Sequence, residues 1–357
     1  MGKKKIPEEG IYDARELGAG RMFVLGFQHM FAMFGATVLV PILTGLDVST
    51  TLLFAGLGTL LFHLITGGIV PAFLGSSFAF LGGYATIAPM IDGQPNKEML
   101  PYACFGVACA GLVYVILSAL FKAFGAKKVM RFFPPIVTGP IIIAIGLNLS
   151  SSAINNCAQN WWIAMVAIVI IIAANIWGKG MIKIIPILLG VIGSYVVAVI
   201  CDASVRETLV QNVSNAKWFA LPIYKEETVF GLLTSGNVDA HLLLTSVITI
   251  VPLSLATMVE HIGDVSAISS TCNRNYIENP GLHRTLMGDG LATTLAALFG
   301  APANTTYGEN TGVLALSKIY DPRVIRIAAI LAMCFSFSPK FAAIISSMPG
   351  GTIGGVS

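Results

Sequence analysis

Long apolar stretches recur along almost the whole chain, and they constrain its fold more than any other feature. Each approaches the roughly 20 residues that an α-helix needs to cross the hydrocarbon core of a bilayer. A helix satisfies its backbone hydrogen bonds internally, which an irregular segment in lipid cannot do. The sequence therefore predicts an all-α polytopic membrane protein. Eight spans are clear, near residues 21–43, 49–67, 101–124, 134–153, 160–177, 184–201, 243–268 and 324–347.

Three further apolar segments are shorter and richer in Gly, Pro, Ser and Thr, and they bring the expected number of spans to eleven. They lie near residues 71–91, 284–300 and 302–318. Non-helical backbone at membrane depth is tolerated where it lines a cavity or is covered by protein. We therefore expect short strands in the third and tenth spans.

The composition excludes several classes of protein. Hydrophobic residues make up 55% of the 357 residues and charged residues only 11%, whereas soluble domains carry roughly 25% charged residues. A net charge of +3 is too small for a nucleic-acid surface. The six cysteines show neither metal-ligand spacing nor a disulfide framework. We expect no soluble enzyme, nucleic-acid partner, metal site or cofactor.

The positions of Lys and Arg predict the orientation of the chain, because cytoplasmic segments carry the excess of these residues. With residues 1–20 inside, sixteen of the 21 Lys and Arg residues are cytoplasmic, four are external and Lys340 lies within a span. The first 20 residues lack an apolar region with a cleavage site, so they are interpreted as a cytoplasmic tail. The long external segment, residues 204–240, contains the stretch 218–222, which we interpret as an interfacial lid or a short hairpin.

Three short motifs recur in order at nearly constant spacing, which indicates an internal repeat. The matched pairs are residues 28–29 with 260–261, 56–59 with 290–293, and 76–80 with 305–309. A repeat of seven spans is odd, so its second copy inserts with the opposite orientation. The prediction is an inverted 7+7 repeat. Counterparts of residues 134–201 would fall beyond Ser357, so we expect truncation after about eleven spans.

Ionisable residues at membrane depth are costly and usually functional. Glu260, His261 and Asp264 lie in the eighth span and Glu309 in the tenth. Glu260 and Asp264 are four residues apart and so share one face of a helix. Two carboxylates in a water-excluded pocket would have a raised proton affinity and could couple proton entry to ligand binding. The alternatives are structural pairing of the acids, a helix–helix hydrogen bond for His261, and a solvated helix end for Asp264.

The polar, Gly-containing segments 75–78 and 302–308 suit extended backbone better than helix. Extended backbone exposes N–H and C=O groups that can bind a planar polar ligand, and the rings of Phe78 and Tyr307 can stack on its faces. The pattern indicates a site for a small flat heterocycle.

These motifs resemble the bacterial uracil permeases of the nucleobase-ascorbate transporter (nucleobase:cation symporter-2) family. The resemblance rests on residues 28–37, 75–80, 260–263 and 304–310. The family signature is met by Glu309, Asn310, Gly312 and Lys318, with Ser317 in place of its threonine.

The resemblance implies a fourteen-span fold in which a core domain moves against a gate domain. Residues 1–20 would be the tail and 204–240 the extracellular loop. The core would comprise residues 21–128 and 241–347, the gate residues 129–203, and residues 348–357 would begin the truncated second half of the gate.

The resemblance also implies the roles of individual residues. Glu260 and Glu309 would hydrogen-bond the pyrimidine, Phe78 and Gly308 would offer main-chain contacts, and Tyr307 would pack nearby. Asp264 stands where some uracil permeases have a proton-coupling histidine. The candidates for proton coupling are therefore Glu260, His261 and Asp264.

The expected function is proton-coupled import of uracil across the cell membrane, which is the inner membrane in a bacterium. The implied partners are uracil, protons, the lipid bilayer and, as an open option, a second copy in a homodimer. A xanthine, urate or ascorbate carrier and a transport-inactive fragment remain alternatives. An intramembrane aspartyl protease is disfavoured, because Gly288-Asp289 precedes Tyr320-Asp321, the reverse of the required order.

Overall fold

The computed structural model describes residues 10–91, 94–125, 153–179, 186–236 and 238–356, with isolated positions at 140, 143, 147, 150, 151 and 182. The described part of the chain is mainly helical. Its helices are α1 Ala19–Thr44, α2 Val48–Ile65, α3 Leu81–Ile87, α4 Leu100–Phe124, α5 Trp161–Trp177, α6 Pro186–Cys201, α7 Ala203–Asn215, α8 Val229–Thr234, α9 Ala240–Ile250, α10 Leu253–Thr271, α11 Leu282–Leu298, α12 Gly308–Ser317, α13 Pro322–Ser336, α14 Pro339–Ser346 and α15 Gly350–Val356.

Several helices are long and apolar enough to cross a membrane, so the chain is a multi-pass membrane protein. Among the described residues four pass this test, namely α1, α2, α4 and the continuous stretch Ala240–Thr271. The number rises to six if each of two bent helix pairs counts as one span. The prediction of eleven spans stays a prediction, and the span at 134–153 falls largely outside the described residues.

Two short strands lie where the sequence predicts extended backbone. Strand β1, Leu74–Ser76, follows α2, and strand β2, Asn304–Thr306, follows α11. They pair antiparallel, with Leu74 opposite Thr306 and Ser76 opposite Asn304. Both strands are buried, so the non-helical backbone is covered by protein as the bilayer requires. The prediction of strands in these two segments is confirmed.

The predicted span at 324–347 is divided into two helices. Helices α13 and α14 replace the continuous span at 324–347 and meet at 87°. Pro339 starts α14 because proline lacks the N–H that a continuing helix needs. By contrast, α9 and α10 meet at a turn at residues 251–252 and together form the continuous stretch Ala240–Thr271.

The segment predicted to be external, residues 204–240, contains helices α7 and α8 and, among its described residues, no strands of a hairpin. Helix α7 bends by 107° from α6, and its N-cap residue Asp202 accepts a side-chain hydrogen bond from the Ser204 backbone N–H. Its side chains are largely exposed, with none buried. Farther along this segment, Thr50 Oγ1 donates to the Pro222 carbonyl and the Ala220 N–H donates to the Phe337 carbonyl. The interpretation as a hairpin is therefore wrong, while an interfacial position stays a prediction.

The helices pack in two groups that differ in their partners. In the first group α4 packs along α11, α2 lies between α11 and α13, and α1 packs on α13. In the second group α5 packs against α6 and α15. Helix α1 also contacts α6, which joins the two groups. Strands β1 and β2 belong to the first group, where they contact α2 and α11.

Residues 10–17 dock against the ends of helices in the first group. The Ile11 N–H donates to the Lys318 carbonyl, and the Tyr320 N–H donates to the Ile11 carbonyl. The Ala14 N–H donates to Asp321 Oδ2 at 2.7 Å. Tyr12 Oη donates to the Cys272 carbonyl, which ties the same segment to the end of α10. The N-terminal segment therefore connects the ends of α10, α12 and α13.

Candidate functional site

The paired strands are held in place by the hydroxyl group of Tyr307. Tyr307 is buried, and its Oη donates to the Ser76 carbonyl at 2.7 Å. Thr37 Oγ1 in α1 donates to Tyr307 Oη at 3.2 Å, and Ser76 Oγ donates to the Thr37 carbonyl. A side chain at Gly75 would collide with Thr37 and the Tyr307 ring. This close packing fixes β1 to β2 and α1, and the half-buried Phe78 adjoins the same apolar cluster.

Behind β2 lies a buried polar network that links α10 to α11. His261 Nδ1 is 2.7 Å from Thr306 Oγ1, and Thr306 Oγ1 donates to Asp289 Oδ1 at 3.1 Å. Because the threonine hydrogen goes to the carboxylate, its oxygen accepts from the imidazole Nδ1–H. All three residues are buried, and His261 Nδ1 is 3.4 Å from Asp289 Oδ2. A separate buried hydrogen bond, from Tyr114 Oη to Thr257 Oγ1, links α4 to α10.

Glu260 lies on the open face of α10, opposite to the side that packs. Glu260 and Gly263 are exposed, whereas Val259 and Ile262 are buried. A water-excluded pocket around Glu260 therefore stays a prediction. The helical period explains the exposure of Glu260, because placing His261 against β2 turns its neighbour Glu260 outward. Asp264, one turn later, adjoins the same face and is half-buried.

The start of α12 adjoins this face of α10. The position that a Cβ atom would take on Gly308 is 3.3 Å from Asp264 Oδ1. Gly308 is the first residue of α12 and is exposed. Glu309 is the second residue of α12, and its side chain is not among those that the structure describes. The structure thus brings Asp264 and Gly308 together, with Glu260 and the Glu309 backbone on the same two helices.

The remaining signature residues have distinct positions along α12. Asn310 is buried, and its Nδ2 donates to the His29 carbonyl at 3.2 Å, which ties α12 to α1. Gly312 is exposed, with no atom of the described residues within 4 Å of its Cβ position. Lys318 ends α12 with a left-handed backbone conformation at φ 54°. Its carbonyl accepts the hydrogen bond from Ile11.

Sequence reasoning misses Asp289, Thr306 and Thr37 as members of the site. The rule that intramembrane ionisable groups are functional would have selected Asp289, which lies within the predicted span at 284–300. Thr306 and Thr37 carry no comparable signal, because hydroxyl side chains are common in membrane helices and often bond their own backbone. No cluster of three or more His, Cys, Asp or Glu able to hold a metal occurs among the described residues.

A protein-family model and individual relatives both show that this chain is similar to permeases. The sequence model described as "Permease family" matches residues 20–357. The chain is 40% identical over 347 residues to a protein named "Uracil permease" from Bacillus caldolyticus, a match that covers 95% of this chain and 76% of that protein. It is 39% identical over 372 residues to the "Uracil permease" of Bacillus subtilis (strain 168), covering 100% of this chain and 80% of that protein.

A solved structure shares the fold. The transmembrane domain of the cyanobacterial bicarbonate transporter BicA superposes with a TM-score of 0.65, covering 97% of this chain and 88% of that chain. At 15% sequence identity this likeness concerns the fold alone. The family match over nearly the whole chain, with two relatives near 40% identity, establishes that this protein belongs to the permease family.

Proposed function

We propose that this chain is a proton-coupled symporter that imports uracil across the cell membrane. The names of its relatives support uracil as the substrate. The observation that carries the proposal is the antiparallel pairing of β1 with β2 beside α10. This pairing places two breaks in helical backbone next to the face that bears Glu260 and Asp264. Such breaks offer main-chain groups and helix ends to a polar substrate.

Uracil would bind edge-on between α10 and the start of α12. Its ring has N–H and C=O groups that need acceptors and donors in one plane. The carboxylates of Glu260 and Glu309 would accept from the ring N–H groups, and the main chain at Phe78 and Gly308 would contact its other polar atoms. Tyr307, which hydrogen-bonds Ser76, would keep β1 in the position that binding requires.

Proton coupling would involve Glu260, Asp264 and His261. Asp264 Oδ1 lies next to the position that a Cβ atom would take on Gly308. The charge of Asp264 would therefore interact electrostatically with a substrate bound there. His261 joins the buried network to Asp289 through Thr306, which offers a second location for a proton. A carboxylate that gains a proton when uracil binds would couple the transport of uracil to the transport of a proton across the membrane.

The finer architecture belongs to the same proposal. The order α2–β1–α3 matches α11–β2–α12, and this supports an inverted repeat of seven spans. The group with α2, α4, α11 and α13 would be the core domain, and the group with α5, α6 and α15 would belong to the gate. The N-terminus would be cytoplasmic, and a second copy could complete a homodimer.

Uptake of labelled uracil into proteoliposomes tests the proposal. An imposed inward proton gradient should increase the initial rate, and a protonophore should remove the increase. The Asp264→Asn variant should bind uracil but lose the response to the gradient. Uptake of equal rate with and without the gradient would refute proton coupling, and uracil binding without any uptake would favour the transport-inactive alternative.

A xanthine, urate or ascorbate carrier of the same fold is the second candidate for the substrate. Competition for bound labelled uracil separates these possibilities. Unlabelled uracil should displace the label at lower concentration than xanthine, urate or ascorbate. If xanthine, urate or ascorbate displaces the label more strongly than uracil does, that compound becomes the proposed substrate in place of uracil.

A further inference from the structure

A short turn after α2 adjoins two arginines that have no acidic partner among the described residues. The turn contains Gly67 and Gly68, both in the left-handed region with φ of 71° and 66°. Arg284 Nη1 is 3.9 Å from the position that a Cβ atom would take on Gly67. Arg326 Nη2 is 2.9 Å from the corresponding position on Gly68. Arg284 lies in the first turn of α11 and Arg326 lies in α13, so two separate helices bring their charges to one dipeptide.

The backbone amides of this turn are already engaged in ending α2. The Thr66, Gly67 and Gly68 N–H groups donate to the carbonyls of Phe62, Leu64 and His63. An anion at the turn would therefore be bound by the guanidinium groups. The glycines contribute by having no side chain, because a Cβ on Gly68 would press against Arg326.

The arginines are not explained by ion pairing within the part of the chain that the structure describes. The observed salt bridges of Arg15 and Arg323 use Asp13 and Asp321, at the docked N-terminal segment. Neither Arg284 nor Arg326 takes part in any salt bridge among the described residues. The Nε atom of Arg326 is buried and has no hydrogen-bond partner there. A buried donor without a partner calls for an acceptor, and for a guanidinium the preferred acceptors are carboxylate and phosphate.

Neighbouring apolar side chains suggest where such an acceptor comes from. Leu64, three residues before Gly67, is 78% exposed. At the adjacent end of α4, Leu120 and Phe124 are also exposed. That end lies beside the start of α11, since Ser118 Oγ donates to the His283 carbonyl. Exposed apolar side chains next to paired cations are typical of a protein surface that meets lipid tails and headgroups.

We propose that Arg284 and Arg326, beside the Gly67–Gly68 turn, bind a phosphate group at the membrane surface. The phosphate belongs to an anionic lipid or to a free phosphate ion, which share this chemistry. This site is separate from the paired strands and does not depend on which substrate the protein carries. Its occupant would join the end of α2 to α11 and α13.

Thermal unfolding of the purified full chain in a neutral detergent tests the proposal. Dioleoyl phosphatidylglycerol, dioleoyl phosphatidylcholine and sodium phosphate are added separately, the phosphate against sodium chloride at equal ionic strength. Phosphatidylglycerol should raise the unfolding midpoint more than phosphatidylcholine does. An equal rise with sodium phosphate alone would assign the site to the free ion. No rise with either anion would overturn the proposal.

Variants connect the effect to the two arginines. Arg284→Gln and Arg326→Gln should each weaken the binding of the anion about tenfold or more, because each removes a charge-assisted hydrogen bond. Arg206→Gln, which removes an exposed arginine of α7, is the control and should leave the effect unchanged. If Arg326→Gln does not fold, the exposed Arg284 still gives a decisive variant. Full retention of the anion effect in Arg284→Gln would overturn the proposal.

Discussion

The hydroxyl groups of Thr59 and Thr293 make an equivalent contact, because each accepts a hydrogen bond from the first residue of the strand that follows its helix. Thr59 Oγ1 accepts from the Leu74 N–H at 2.9 Å and donates to the Ala55 carbonyl at 2.8 Å, with the Leu74 carbonyl farther away at 3.3 Å. Thr293 Oγ1 accepts from the Asn304 N–H at 3.2 Å and donates to the Asn304 carbonyl at 2.8 Å. The two threonines also correspond in the internal repeat inferred from the sequence, which supports that repeat.

These threonines should be essential for the stability of the strands. Thr59→Val and Thr293→Val keep the side-chain shape but leave buried N–H and C=O groups without partners, at a cost of roughly 1–3 kcal/mol each. Thr59→Ser and Thr293→Ser retain the hydroxyl and should lose less. Thermal unfolding in detergent measures the difference. Equal losses for valine and serine would show that the hydroxyl bonds do not stabilise the strands.

Gly308→Ala should weaken uracil binding about fivefold or more. The added methyl group would lie 3.3 Å from Asp264 Oδ1, and overpacking of this kind costs roughly 1 kcal/mol or more. Gly312→Ala is the matched control in the same helix, because its Cβ would meet no described atom within 4 Å. Isothermal titration with uracil compares the two. A Gly308→Ala protein with the affinity of the unmodified chain would remove Gly308 from the site.

Tyr307→Phe should reduce both stability and uracil affinity. The change removes the hydrogen bond to the Ser76 carbonyl, worth about 1 kcal/mol, and lets β1 move relative to β2. Tyr224→Phe is the control, since the Tyr224 hydroxyl makes no hydrogen bond within the described residues. A change in unfolding midpoint without a change in uracil dissociation constant would restrict Tyr307 to a structural role.

Asp321→Ala should destabilise the fold and release the N-terminal segment. Asp321 is buried, caps α13 by accepting from the Arg323 N–H, and also accepts from the Ala14 N–H. Loss of these bonds should cost about 2–3 kcal/mol. Asp202→Ala, which removes the cap of the exposed α7, should have a smaller effect. Hydrogen exchange of residues 10–17 provides the readout, and unchanged protection in Asp321→Ala would contradict the proposed anchoring.

The sequence predicts the strands well because their signal is local. Gly75, Ser76 and the threonines at 305 and 306 disfavour helix, and lipid allows non-helical backbone only where protein covers it. The register, with Gly75 opposite Thr305, depends on the packing of distant helices and is not predictable from one chain segment. The break at Pro339 had a signal in the sequence, but an average over an apolar window hides a single proline.

The chemistry of the site is predicted less completely than its location. The sequence identifies α10 and the segment after α11, yet the polar network behind β2 emerges only when His261, Thr306 and Asp289 are placed together. The exposure of Glu260 also depends on which face of α10 packs against the strands. A spacing of four residues relates Glu260 to Asp264 and does not say whether their shared face is covered.

The binding of uracil by Glu260 and Glu309 tests the central claim most directly. Isothermal titration of the full chain with uracil should show affinity about tenfold or more weaker for both Glu260→Gln and Glu309→Gln, because each change removes a charged acceptor from the ring N–H groups. Glu207→Gln, which alters an exposed glutamate of α7, should bind like the unmodified chain. Unchanged affinity for uracil in both Glu260→Gln and Glu309→Gln would contradict the account.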